Sequence, residues 1–558
     1  MLHSVKTRLF AAALCGAMLL TTACGGSAAG GTGSAAASGA GDASAASSGT
    51  AETGETGGPK YGGTLTTYTS ADPKSFDPAA LSAWDQTIVA ANILEGLVRL
   101  NPEGNAIEPG IAESWEPSED GTVWTFHLRD AKFHNGRAVT AQDFKYSFER
   151  VANPQTASPA AWMLNKLQGF DEYTAGSASE ISGIKVVDDH TLELTLTEPY
   201  APFVSMLSSA ALAVVPQEAV EEFGDDFGQH VVAAGPFTVG QWNFNQDLTI
   251  NAFEDYWAGR PYLDSVKFKV INDENTRIVE FDAGTLDIAW ITPAHYDRLT
   301  SDPRYANSIG RADTLHTSFL MFNMEKEPFA SNKALREAVL YALDTQATID
   351  MLQGRASVAN VLLPSGMLGS GDPATTPPYD VEKAKAKMAE AGYPDGLPQT
   401  FEVITPAWNN NIKILEIYQQ NLKEIGINIE IKALENSAYN EARDSGQFEI
   451  AWGNIVATYP DPDAMFYPLL HSDNIGAAGN YARYSNPEVD ALIEQARAST
   501  DDNERASLYQ QIEQLVLEDL PYAYLTHNIY VDICQPFVRD YCPSALDVST
   551  YHRVWLDK

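Results

Sequence analysis

The sequence predicts a mixed α/β protein built as more than one lobe, and three observations carry that prediction. The stretch from Lys60 to Lys558 is long, and 44% hydrophobic with 10% aromatic residues suits a large packed body. Along it, strand-like alternations such as 123–128 (VWTFHL) and 191–196 (TLELTL) are interleaved with helical patterns, as over 141–151. Past residue 265, a strand pattern (265–271), a helical stretch (276–282) and a second strand ending at Trp290 read as a βαβ unit that opens a second lobe.

Residues 1–23 have the form of a lipoprotein signal peptide. His3, Lys6 and Arg8 precede an apolar run from Leu9 to Leu20, too short to span a bilayer but suited to a signal-peptide core. The run ends in Thr21-Thr22-Ala23-Cys24, which resembles a bacterial lipobox with Thr21 in the place usually held by Leu. Cys24 is therefore expected to carry a lipid, the alternative being ordinary secretion with cleavage nearby. Residues 24–59 continue as a tether: beyond Cys24 they are almost entirely Gly, Ala, Ser and Thr, with too little apolar area to fold.

The body opens with the alternating Gly62-Gly63-Thr64-Leu65-Thr66-Thr67-Tyr68 and a turn-rich run from Ser70 to Pro78, a strand followed by a loop. Farther on, Ile412, Leu415, Tyr418, Leu422 and Ile425 recur at helical spacing. So do Val489, Leu492, Ile493 and Ala496, behind a helix start at Asn486-Pro487-Glu488. These apolar stripes are core, not a cofactor box.

A formal net charge of -38 excludes nucleic acid as a partner, because phosphates need clustered Lys and Arg. Cys15 leaves with the signal peptide and Cys24 is assigned to the lipid, so Cys534 and Cys542 are expected to pair in an oxidising compartment. Their spacing, without CxxC or a nearby His, argues against zinc. The sequence contains no GxSxG elbow, HExxH, P-loop or dinucleotide fingerprint, and its histidines are scattered singly. Asp461 and Asp463, alternate residues of an Asp-Pro-Asp turn, do not face a common bond as hydrolase carboxylates must. No enzymatic activity, cofactor or metal is expected.

Several short motifs occur in one order along nearly the whole body: Gly62-Gly63-Thr64-Leu65, Asp72-Pro73-Lys74-Ser75-Phe76-Asp77-Pro78, Ile111-Ala112-Glu113-Ser114-Trp115, Phe133-His134-Asn135-Gly136, Ala234-Gly235-Pro236-Phe237, Asp255-Tyr256-Trp257 and Tyr459-Pro460-Asp461-Pro462-Asp463. In this the chain resembles family 5 of the bacterial extracellular solute-binding proteins, the oligopeptide, dipeptide and nickel binders. The resemblance implies an α/β, two-lobed periplasmic-binding-protein-like clamp with an extra subdomain inserted in lobe I. It puts lobe I at 60–270 and 528–558, the inserted subdomain at about 98–190, and lobe II at 271–527. Crossing strands would lie near 265–275 and 525–535. It also implies a monomer held at the outer face of the cell membrane by its lipid, passing an oligopeptide to the permease subunits of an ABC importer. A secreted hydrolase would need an assembled nucleophile and base, which these residues do not supply.

The same resemblance suggests ligand contacts. Thr458 stands where peptide-binding members place an aspartate for the ligand's amino group, and a neutral hydroxyl cannot make that charge-assisted bond. Asp461 or Asp463 could substitute, next to Tyr459. A second ligand loop, 405–411, offers Trp408, Asn409, Asn410 and Asn411 and lacks the arginine that dipeptide binders use for the carboxylate. A stacking face beside amide groups also suits an oligosaccharide or other neutral solute. Trp452, Gly453 and Asn454, after an apolar strand, and Trp290, after another, are expected at the cleft edge. Ser70 and, less directly, Trp84 are expected from lobe I.

Overall fold

The structure is a computed structural model that describes residues 58–371 and 379–558; the signal peptide, Cys24 and the tether up to residue 57 lie outside the described residues. Two mixed sheets organise the body. The first has four strands in the order Thr64–Thr69, Ser265–Val270, Asp247–Ala252, Phe237–Asn243, parallel at the first pairing and antiparallel at the others. Alternation places Leu65, Val266, Phe268, Leu248 and Ile250 in one core, which Val554 and Leu556 from the C-terminus complete.

An antiparallel sheet of Ala112–Pro117, Val123–Leu128, Thr191–Thr195 and Ile184–Asp188 forms the inserted subdomain. The strand Thr191–Thr195 lies inside this sheet, so the insertion runs past 190. Helix Ala141–Ala152 packs against it through Phe144, Phe148 and Val151. That helix starts where it does because Asp143 accepts from the Thr140 backbone N–H at 2.9 Å, closing a capping box.

The second large sheet has six strands in the order Ala356–Val358, Tyr522–Ile529, Asp313–Phe322, Ile450–Val456, Thr400–Pro406, Asn428–Leu434. Helices Lys333–Ala342, Val381–Glu390 and Asn409–Glu424 cover one face with Leu335, Val339, Met388, Leu415, Tyr418 and Leu422. The expected stripe at 412–425 is this helix.

The lobes join elsewhere than expected on one side. Ser265–Val270 is paired on both edges within the first sheet, and the following strand, Ile288–Trp290, returns to pair with Asp532–Cys534. Asp287 fastens this return by accepting from the Thr66 N–H at 2.7 Å and donating its own N–H to the Thr66 carbonyl at 2.8 Å. The βαβ unit thus extends the first lobe, since its second strand finds partners there. The chain leaves for the six-stranded sheet only between Ile309–Gly310 and Asp313–Phe322, and comes back between Tyr522–Ile529 and Asp532–Cys534. At this double crossing the Tyr530 N–H donates to the Ala312 carbonyl.

The expected Cys534–Cys542 disulfide is not formed. Cys534 is buried in its strand against the first core, while the Cys542 thiol turns to the carbonyl of its neighbour Pro543 at 3.5 Å.

Candidate ligand-binding site

One edge of the six-stranded sheet faces the crossing. Strands Thr400–Pro406 and Ile450–Val456 run parallel and reach it with their C-terminal ends, whereas the antiparallel Asp313–Phe322 starts from it. Tyr522–Ile529 ends at it and Ala356–Val358 begins at it. Carboxyl ends of strands, with the loops that follow, are where α/β sheets collect ligand groups. The edge therefore gathers Arg355, His316, Asn454, Thr458 and the 407–411 turn.

Trp408 is half-buried at the N-cap of helix Asn409–Glu424, followed by exposed Asn409 and half-buried Asn410. The next asparagine, Asn411, is the buried one, and its side-chain Nδ2 has no hydrogen-bond partner. His316 accepts at Nδ1 from Asn528 at 2.7 Å, so its proton sits on Nε2, which is buried and unpartnered. Burial holds His316 down to about 4, so the ring is neutral. Asn454 is half-buried opposite Ser318, and Thr458 is exposed.

The neighbouring turn does other work than expected. Asp461 is buried and accepts from one Arg505 nitrogen at 2.7 and 2.9 Å. Asp463 is buried too, accepting from Tyr200 at 2.9 Å and Tyr459 at 3.0 Å beside the Arg497 guanidinium at 3.1 Å. Burial raises the Asp463 carboxyl, opposed by Arg497. Asp461, Asp463 and Tyr459 are thus engaged inside the protein and cannot stand in for an amine-binding aspartate. Trp452 is buried in the second core, its carbonyl accepting from the Tyr439 hydroxyl. Gly453 sits under the Phe319 ring, where a Cβ would come within 2.3 Å of a ring carbon. Neither reaches the edge.

From the first lobe, Trp290 ends its strand opposite Asp532, only 2% exposed, and its indole Nε1 has no partner. The buried Thr292 hydroxyl, two residues on, has none either. Ser70 is committed: its hydroxyl and N–H both donate to Asp85 Oδ1, at 2.6 and 2.9 Å, which also takes the Thr69 hydroxyl. Near Trp290, burial pushes Asp532 up to about 7, against a hydrogen bond from Tyr541. The sequence reading named Trp290, Trp408 and the asparagines 409–411, and did not name Thr292 or His316. Nothing local in the sequence marks those two.

Buried polar groups without partners are rare in folded proteins, and each costs about 1–3 kcal/mol. Among the described residues, Trp290, Thr292, His316 and Asn411 are four of several such groups, two from each lobe.

Among known proteins, the family described as bacterial extracellular solute-binding proteins, family 5 Middle, matches residues 106–477. Heme-binding protein A of Haemophilus influenzae is 30% identical over 516 residues, 88% of this chain and 92% of its own. Among solved structures, the unliganded open form of the periplasmic murein tripeptide binding protein MppA superposes with a TM-score of 0.79 at 26% identity, covering 88% of this chain and 97% of that one. Haemophilus influenzae OppA in complex with the peptide RPPGFSPFR gives 0.66 at 26% identity, covering 89% and 99%.

Proposed function

Since the chain belongs to family 5 of the bacterial extracellular solute-binding proteins, we propose that it captures oligopeptides between its two lobes and delivers them to the permease of an ABC importer. It does so as a monomer outside the cell, tethered by a lipid on Cys24 and the Gly/Ala/Ser leash that follows. The first lobe comprises residues 60–310 and 532–558, and the second residues 313–529. The observation that carries the reading is the set of four buried, unpartnered polar groups contributed by both lobes. Hydrogen-bonding groups on opposite lips favour the closed state by the contacts that a ligand makes with both at once.

A second reading has its own support. Thr458 is neutral and exposed, and the two nearby carboxylates are held by arginines, so the lip offers no charge to a free ammonium group. An oligosaccharide or other neutral solute would suit it. Mass spectrometry of small molecules released by denaturing the purified mature domain, followed by thermal-shift assays with peptide and oligosaccharide panels, separates the two. A ligand that binds only the folded form raises its melting temperature. Peptides in the released fraction and shifts with the peptide panel are expected; a saccharide in their place would sink the peptide reading.

A further inference from the structure

Arg355 differs from the other deeply buried arginines. Arg505 and Arg497 are paired with carboxylates, Arg336 is held by four backbone carbonyls, and Arg277 by two, with its guanidinium over the Tyr68 ring. Arg355, 5% exposed, donates from Nε to the Leu352 carbonyl at 2.9 Å, and no carboxylate among the described residues lies within ion-pair distance. Glu274 and Tyr296 of the first lobe act on it only through space, and burial lowers its guanidinium to about 10. An uncompensated buried charge is costly unless something pairs with it.

Its surroundings are built for close approach. The preceding Gly354 has φ +71, and a Cβ there would sit 3.0 Å from the Tyr296 hydroxyl and 3.8 Å from Arg311 Nη1. Arg311, in the crossing, donates to that hydroxyl and likewise has no ion pair among the described residues. Arg311 thus bonds the Tyr296 hydroxyl that Arg355 senses through space, and the two basic residues flank that hydroxyl near the crossing, in a chain with 74 acidic and 36 basic residues.

We propose, on the premise that the cleft takes peptides, that Arg355 and Arg311 form a carboxylate subsite which holds the acidic end of a short ligand whose other end, at Thr458, is uncharged. Guanidinium groups match carboxylates by forked, charge-assisted hydrogen bonds. The length follows from the sheet. Arg355 precedes the edge strand and Thr458 follows the fourth strand, three inter-strand spacings away. At about 4.8 Å each this is about 14 Å, the reach of about four extended residues. The ligand class is a peptide of about four residues with a free carboxylate and a blocked amino end.

The test is calorimetry on the full mature domain with pools of N-acetylated tetrapeptides, once as free acids and once as C-terminal amides, on wild type, Arg355→Met and Arg311→Gln. The acids are expected to bind the wild type at least about tenfold more tightly than the amides. Arg355→Met should abolish that ratio while leaving the melting temperature without ligand unchanged or higher, because it removes a buried charge. A purely structural arginine would show the reverse: a lower melting temperature and an intact ratio. Equal binding of acids and amides by the wild type, or a ratio that survives both substitutions, overturns the subsite and leaves peptide capture standing. Binding of neither pool, with a melting shift from a neutral oligosaccharide, overturns both.

Discussion

The charges of the Asp-Pro-Asp turn show what a single residue's neighbours decide. By sequence, Asp461 is a plausible ligand carboxylate in a conspicuous motif, because its partner Arg505 lies far along the chain and only the fold brings them together. Asp461→Ala should therefore destabilise the protein by about 3–5 kcal/mol in urea unfolding, since it strands a buried guanidinium. Trp408→Ala, at a half-buried N-cap, should cost about 1 kcal/mol or less and weaken ligand binding instead. If Asp461→Ala unfolds at the wild-type urea concentration, the ion pair does not have the role given to it. Thr458 supports the complementary substitution. It is exposed, so Thr458→Asp should fold normally and raise affinity for peptides with a free amino terminus by about tenfold, read by calorimetry. No gain would mean that the ligand's amino end lies elsewhere. Trp408 and the asparagines 409–411 were legible because they stand together in a short motif that resembles a ligand loop; His316 and Thr292 were not, because only the fold shows that their polar atoms lack partners.

At the scale of elements, the strands Asp313–Phe322 and Tyr522–Ile529 come from distant parts of the chain, so their pairing is not legible in the sequence, and that pairing sets two histidines side by side. His316 and His527 are both held down to about 4 by burial, and His316 further disfavours charge on the His527 ring. An unfolded histidine titrates near 6.5. Below that pH the unfolded chain takes up protons that the fold refuses, so stability is lost as pH falls from about 6.5 towards 4. Asp532 and Glu513, raised to about 7 and about 8, act in the opposite direction and lose stability as pH rises. The histidine contribution is therefore best isolated as a difference between proteins. Between pH 6.5 and 4.5, wild type should lose on the order of 2 kcal/mol more than His527→Gln in urea unfolding. Parallel losses in the two proteins would show that His527 is protonated without cost. The crossing was misplaced for a related reason: a βαβ pattern gives the order of its elements, and the Asp287–Thr66 bonds that return it to the first lobe span distant parts of the chain.

For the whole molecule, the question is which contacts between the lobes change when the clamp closes. Tyr200, at the end of the inserted subdomain, donates to Asp463 of the second lobe at 2.9 Å, and the adjacent Ala201 N–H donates to the Arg497 carbonyl at 2.8 Å. These bonds lie within one continuous apolar cluster, which runs from Phe126 and Phe203 in the first lobe to Phe466 and Tyr509 in the second. Separating such a packed core would expose several aromatic side chains at about 1.5–3 kcal/mol each, more than a small solute can offset. Closure must therefore turn about this seam and the crossing, with the seam intact in both states. A contact present in both states contributes to stability but not to ligand affinity, because a ligand shifts an equilibrium only through what differs between the states. Tyr200→Phe should accordingly lower unfolding free energy by about 1–3 kcal/mol, by leaving Asp463 one donor short, while leaving the calorimetric affinity for peptides within about twofold of wild type. A weakened affinity with unchanged stability would mean that the Tyr200–Asp463 bond strengthens on closure and that the axis lies elsewhere; small-angle scattering with and without ligand would then place it.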